Sequence, residues 1–154
     1  MDIAIRSARA GDYAAVSRIL AQVQRLHVEL RPDIYKPNDR LLPAEVFAVL
    51  AEKGTFFVAE AEGKVVGIME VMFRHVENPA QCTRDVLYID TMAVDEPYRG
   101  RGVGHKFFEH AKRIKNERGL DGIELQVNSR NAAALGMYEK YGFTVKTYYM
   151  ELIE

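Results

Sequence analysis

Three glycines alternate with Arg101 and Val103 in the run Arg99-Gly100-Arg101-Gly102-Val103-Gly104. Glycine has no Cβ, so the amide N–H groups of such a run are open to a ligand. Where a helix starts on it, the first amides have no internal acceptor and the positive end of the helix dipole lies at the same place. Those donors, with two arginines, suit a phosphate or pyrophosphate. Two common nucleotide readers do not match. Counting G-x-G-x-x-G from Gly102 reaches Phe107 where the third glycine belongs, and counting from Gly100 reaches His105. A P-loop ends in Gly-Lys-Ser/Thr, whereas Gly104 is followed by His105, Lys106 and Phe107. A plain tight turn also fits the run taken by itself.

Positioning this run needs a strand before it and a helix after it. Residues 85–94 are mostly apolar and read as the strand, with Pro97 in the turn. Residues 102–118 read as the helix, with Val103, Phe107, Ala111 and Ile114 on one face and Gly119 as its stop. Residues 123–127 form a further strand and 131–141 a helix closed by Gly142. Residues 143–153 (FTVKTYYMELI) read as one long strand or two short ones.

Upstream, residues 2–7 alternate as a short strand, and Asp12 is placed to cap a helix carrying Val16, Ile19, Leu20, Val23, Leu26 and Leu30. Residues 31–40 hold two prolines and read as a loop or broken helix. A second helix over 43–53 has Val46, Phe47 and Leu50 as its stripe. Strands over 55–61 and 64–73 meet at Glu62-Gly63 in a hairpin, and 75–83 reads as a loop. The order is β-α-α-β-β-β-α-β-α-β. This predicts an α/β chain with a mixed sheet, antiparallel in its first half, with two parallel strands joined by the crossover in its second.

Composition narrows the function. The 154 residues suit one domain spanning 1–154, and 48% hydrophobic residues suffice for a core. Lys plus Arg (21) nearly cancels Asp plus Glu (22), which gives no support to nucleic acid or a membrane surface as partner. The lone Cys82 allows no intrachain disulfide and fits a reducing compartment. The N-terminus carries no signal-like apolar core, and no apolar run is long enough to span a bilayer. The chain reads as soluble and cytoplasmic. His105 and His110 are five apart and do not share a helix face, so no metal is expected.

Two blocks together resemble the GNAT superfamily of N-acetyltransferases. The first is Arg99-x-x-Gly102-x-Gly104 after Met92-Ala93-Val94-Asp95-Glu96-Pro97; the second is Asn131-x-x-Ala134-x-x-x-Tyr138-x-x-x-Gly142-Phe143. The likeness is firm over 85–145 and loose before Thr55. It implies a GNAT-like acyl-CoA N-acyltransferase fold and transfer of an acetyl group from acetyl-CoA, as co-substrate, to a primary amine of a small molecule or a protein. It implies that Arg99, Gly100, Arg101, Gly102, Val103 and Gly104 hold the CoA pyrophosphate. Met92, Ala93 and Val94 would pair with the pantetheine arm, with the Met92 amide on the thioester carbonyl. Asn131 would touch the pantetheine or phosphates, and Tyr138 would be the general acid for the departing thiolate.

An amine near pKa ~10.4 must lose a proton to attack. Asp90 interrupts an apolar strand two residues before Met92, which puts it on the same strand face unless a bulge intervenes. It is the leading candidate base, with Glu70 on the neighbouring strand as the weaker one. A solely structural Asp90 is the competing reading. A basic residue of the helix after the glycine run, or Arg130, is a candidate for the CoA 3′-phosphate. Glu29, Asp33 and Tyr35 would suit a cationic acceptor, or simply solvate a loop. The alternatives to an N-acetyltransferase are transfer of another acyl group and a catalytically silent acyl-CoA sensor. A homodimer is left open.

Overall fold

The computed structural model describes residues 1–154. Its elements are β1 (Ala4–Ser7), α1 (Tyr13–Leu30), α2 (Ala44–Lys53), β2 (Phe56–Ala61), β3 (Lys64–Asn78), β4 (Gln81–Val94), α3 (Val103–Glu117), β5 (Gly122–Leu125) and α4 (Ala132–Lys140). They form one five-stranded sheet in the order β1-β2-β3-β4-β5. The first three pairings are antiparallel and β4–β5 is parallel. The expected crossover through α3 is present.

Period-2 alternation in the central strands divides the core between the sheet faces. Val58 and Ile68 point to α1 and α2, where Val16, Ile19, Phe47 and Phe56 complete one cluster. Met69, Val71, Leu87 and Ile89 point to the other face, packing on Val103, Phe107, Phe108 and Ala111 of α3. Met137, Tyr138 and Tyr141 of α4 cover the edge of that second cluster. Val46, expected in the α2 stripe, is exposed, and Phe47 alone of that stripe is fully buried.

Local chemistry explains the joints. Glu62 and Gly63 both take positive φ (53° and 72°), as a two-residue hairpin turn requires. Asp12 does not cap α1 through its side chain. It accepts from the Arg9 amide at 2.8 Å and from both terminal nitrogens of Arg6 at 2.8 and 2.9 Å. At Gly67 the sheet meets α3 closely: a Cβ there would lie 2.9 Å from both Phe107 Cε2 and Val103 Cγ1.

Two expectations are corrected. Residues 75–78 and 81–83 are strand rather than loop, because β3 and β4 continue pairing to Asn78 opposite Gln81. Residues 143–153 are not strand here. Beyond the Phe143 amide, which donates to the Tyr138 carbonyl at 3.1 Å, the segment has no backbone partner, so its alternating pattern has no ladder to join.

Candidate active site

The glycine run lies at the end of β4 and the start of α3. After Val94, Asp95 begins a tight turn in which the Tyr98 amide donates to the Asp95 carbonyl at 2.8 Å. Gly100 and Gly102 take φ of 73° and 88°, values that residues with a Cβ rarely adopt. Gly104 is helical, and a Cβ there would sit in ordinary contact, 3.5 Å from Met137 Sδ. Of the three glycines, two therefore shape the turn. The Lys106 amide is the first in α3 with a partner, the Gly102 carbonyl at 3.2 Å. The six preceding amides, of Gly100, Arg101, Gly102, Val103, Gly104 and His105, have no protein acceptor. Six free donors on a left-handed turn at a helix N-terminus suit an anion and make this turn a candidate cradle for one.

Beside the cradle, the sheet opens. β4 pairs with β3 up to Val94 opposite Gly67, but with β5 only up to Ile89 opposite Leu125. Residues 90–94 thus keep one edge without a backbone partner. Every second amide and carbonyl on that edge can bond an extended ligand as a neighbouring strand would. Met92, Ala93 and Val94 all lie on this stretch.

A β-bulge starts it. Thr91 pairs with Glu70 and Ile89 with Val71, so Asp90 is the extra, unpaired residue. The bulge breaks the alternation. Leu87 and Ile89 face the α3 side, yet so do Met92 and Val94. Met92 therefore shares its face with Ile89, and the i−2 relation that was to aim Asp90 alongside Met92 does not hold. Asp90 is exposed at the bulge. Glu70, flanked by Met69 and Val71 of the α3 cluster, points to the α1 side and is half-buried. Burial, and next the Asp90 charge, push the Glu70 carboxyl above the ordinary glutamate range. Tyr88, beneath the Arg74 guanidinium at 3.5 Å, lines the same side.

Tyr138 stands on α4 with its ring edge-on to Phe108 and Phe143, each 5.8 Å away between centroids. Burial pushes its phenol up, so it keeps its proton through neutral pH and can donate it. Asn131 is the N-cap of α4: its side-chain oxygen accepts from the Ala134 amide at 3.1 Å, leaving its NH₂ group for a ligand. Arg99 reaches back to the Val94 carbonyl at 3.2 Å, and Arg101 lies over the Tyr98 ring. Arg130 donates to the Leu30 carbonyl at 3.0 Å, at the end of α1.

One constellation escaped the sequence reading. Asp95 is the one buried charged residue. It accepts from Arg18 Nη1 at 2.5 Å and Gln22 Nε2 at 2.7 Å, while Gln22 Oε1 accepts from the Glu96 amide at 3.0 Å. Burial alone would raise the Asp95 carboxyl; the Arg18 and Gln22 bonds outweigh it and hold it below the usual range. This clamp ties α1 to the entry of the glycine turn. Its signal was the spacing of Arg18 and Gln22, four apart on one helix face, with an acidic residue closing an apolar strand.

The residues read as suiting a cationic acceptor are mixed in their surroundings. A groove of about 230 Å³ lies between α1 and the following loop, lined by Gln24, Arg25, Val28, Glu29, Pro37 and Asp39 among others. Asp33 is taken up by Arg31 at 2.7 Å, which holds its carboxyl down at about 2. Tyr35 stacks on His27, 4.7 Å between centroids. Glu29 thus remains the free carboxylate of the three. A larger concavity of about 470 Å³ sits by Arg118 and Leu120, past the far end of α3, and is remote from the cradle. No three His, Cys, Asp or Glu side chains are grouped to hold a metal ion.

A mixed sheet that parts at a bulged strand, with a row of free amides at the end of that strand, is an architecture suited to an extended anionic ligand. Residues 20–143 match the family model described as the acetyltransferase (GNAT) family. The chain belongs to the GNAT family. An uncharacterised N-acetyltransferase of Methanocaldococcus jannaschii is 34% identical over 91 residues, which cover 59% of this chain and 39% of that relative. This chain thus accounts for about two fifths of that relative's length. A Bacillus halodurans protein, solved as a point mutant, superposes with a TM-score of 0.94 at 29% identity, over 98% of this chain and 99% of its own. The PaiA N-acetyltransferase of Thermoplasma acidophilum, solved with coenzyme A, shares the fold with a TM-score of 0.74 at 18% identity, over 95% and 92%. No helix is long and apolar enough to cross a membrane.

Proposed function

We propose that the protein is an acetyl-CoA-dependent N-acetyltransferase acting by direct attack of a primary amine on the thioester. The observation that carries this reading is the six unpartnered amides of the glycine turn lying in line with the free edge of β4. The cradle suits a pyrophosphate and the edge suits an amide-containing pantetheine arm. Acetyl-CoA has both, in that order. The NH₂ of Asn131, whose side-chain oxygen is taken by the Ala134 amide, would donate to the same ligand from the start of α4.

In the proposed reaction the amine nitrogen forms a bond to the thioester carbon, and the carbon–sulfur bond breaks. The Met92 amide donates to the carbonyl oxygen as negative charge grows on it, an interaction strongest at the transition state. The amine proton goes to the Glu70–Asp90 pair, directly or through water. Glu70 is the better acceptor of the two, because its raised affinity for a proton lies closer to that of the amine it relieves. Tyr138 gives its proton to the departing thiolate. Glu29, at the groove beside α1, attracts the ammonium form of the acceptor.

Thiol release from acetyl-CoA, measured across a panel of polyamines, aminoglycosides, amino acids and peptides, tests this. Calorimetric titration of acetyl-CoA is run alongside it. Binding with amine-dependent release is expected. Binding without release on any acceptor would make the chain a sensor, release only from a longer acyl-CoA would change the donor, and absence of binding would overturn the reading.

A further inference from the structure

Glu70 and Asp90 stand at one end of a longer strip on the α1 side of the sheet. Met69 and Val71 of β3 pack toward α3, so Glu70, Met72 and Arg74 face the opposite way. On β4, Tyr88 is paired with Met72 and shares that face. The strip changes character along its length. It is acidic at Glu70 and Asp90, apolar at Met72, which is 44% exposed, and basic at Arg74, which is exposed.

Arg74 is a cation without a counterion. Arg84 is taken up by Glu124 at 2.7 Å and Arg31 by Asp33 at 2.7 Å, but no ion pair of the chain includes Arg74. Its guanidinium carbon lies 3.5 Å from the centre of the Tyr88 ring instead. At that distance the ring occupies one flat face of the guanidinium and holds it in place. The N–H donors lie in the guanidinium plane, so stacking leaves them free. Such a fork matches a carboxylate through two parallel hydrogen bonds.

We infer that Arg74 selects the acceptor, and that the amine it selects carries a carboxylate several carbons from its nitrogen, as an ω-amino acid does. The nitrogen goes to Glu70 and Asp90, the alkyl chain lies over Met72, and the carboxylate meets the Arg74 fork. The acetyl group passes to the nitrogen and the carboxylate is left unchanged. The four residues from Glu70 to Arg74 span about 13 Å of strand. An amine and a carboxylate on one carbon cannot engage both ends, whereas a longer alkyl chain, met by the reach of the two side chains, can. A diamine of the same length would bring a second ammonium against the guanidinium, where like charges repel. This inference rests on the acetyltransferase reading above and names the class of acceptor.

Thiol release from acetyl-CoA, followed with 6-aminohexanoate and with 6-aminohexanamide, tests it. The two amines differ in charge only at the far end. For the wild type, kcat/KM is expected to be about tenfold or more higher for the acid, through KM, and the excess should shrink as salt is raised. In Arg74→Gln the ratio is expected to fall to about one, and Arg74→Lys should keep part of it. Arg74→Glu should favour 1,6-diaminohexane over the acid. Each ratio compares two substrates on one preparation, so a variant that folds poorly still reports it. A wild type without the preference, or an Arg74→Gln variant that keeps it, overturns this inference and leaves the acetyltransferase reading standing. Absence of thiol release from every amine would overturn both.

Discussion

Tyr138 and Glu70 owe their proposed roles to opposite uses of burial. For the phenol, burial secures the proton it is to give; for the carboxylate, burial strengthens the hold on the proton it is to take. Tyr138→Phe keeps the ring contacts with Phe108 and Phe143 and removes only the hydroxyl. Turnover is expected to fall by about 10²-fold or more, with acetyl-CoA affinity unchanged, as initial rates and calorimetry would read. A rate near wild type would remove the acid role. Glu70→Gln makes a double prediction. A carboxyl whose folded pKa is raised favours the folded state below its unfolded value, near ~4.3, and that contribution is lost as pH rises through the folded value. Charged Glu70 therefore weakens the fold at neutral pH. The variant should be more thermostable than wild type at pH 7.5, lose that advantage toward pH 4, and turn over far more slowly. Melting curves at both pH values, with rates, would show it; a less stable variant at pH 7.5 would mean the carboxylate is well paired.

At the scale of elements, α3 is set by Gly67 below and by the glycine turn at its start. Gly67→Ala drives a methyl into Phe107 and Val103, which cannot retreat inside the core, and should cost about 1–3 kcal/mol in denaturant titration. Gly104→Ala meets only the flexible end of Met137 and should leave stability within about 0.5 kcal/mol of wild type, or raise it through helix propensity. Equal losses in the two would place the constraint elsewhere. The contrast also marks what was legible beforehand. Three alternating glycines announce a turn, and the helix and strand periods announce the crossover, because residue type and local spacing carry both. The bulge at Asp90 was not legible, since it is a property of register between β3 and β4, and nothing in residues 88–94 counts the residues opposite. Nor was the far end of the hairpin, where polar residues in 75–83 hide the backbone pairing. In 143–153 the alternation announced a strand that the fold does not form, because pairing depends on a neighbouring backbone that the segment's own residues do not encode. The Asp95 clamp was half-visible, its acid noted in the turn but its two donors 73 and 77 residues away.

For the molecule as a whole, the parting of β4 from β5 means that the folded chain stops short of a finished sheet. A proposed reactant lying along residues 90–94 would then be a structural member as well. Its concentration enters the folding equilibrium, adding about 2.7 kcal/mol at a hundredfold excess over Kd. Scanning calorimetry with desulfo-CoA, which keeps the phosphates and pantetheine arm but cannot react, should raise Tm by several degrees; no shift at saturating ligand would refute the pairing. The population of unfolded chain open to proteases would then follow the acyl-CoA supply, so the amount of this protein in a cell would track the same metabolite it is proposed to consume, with no regulator beyond the gap in its own sheet.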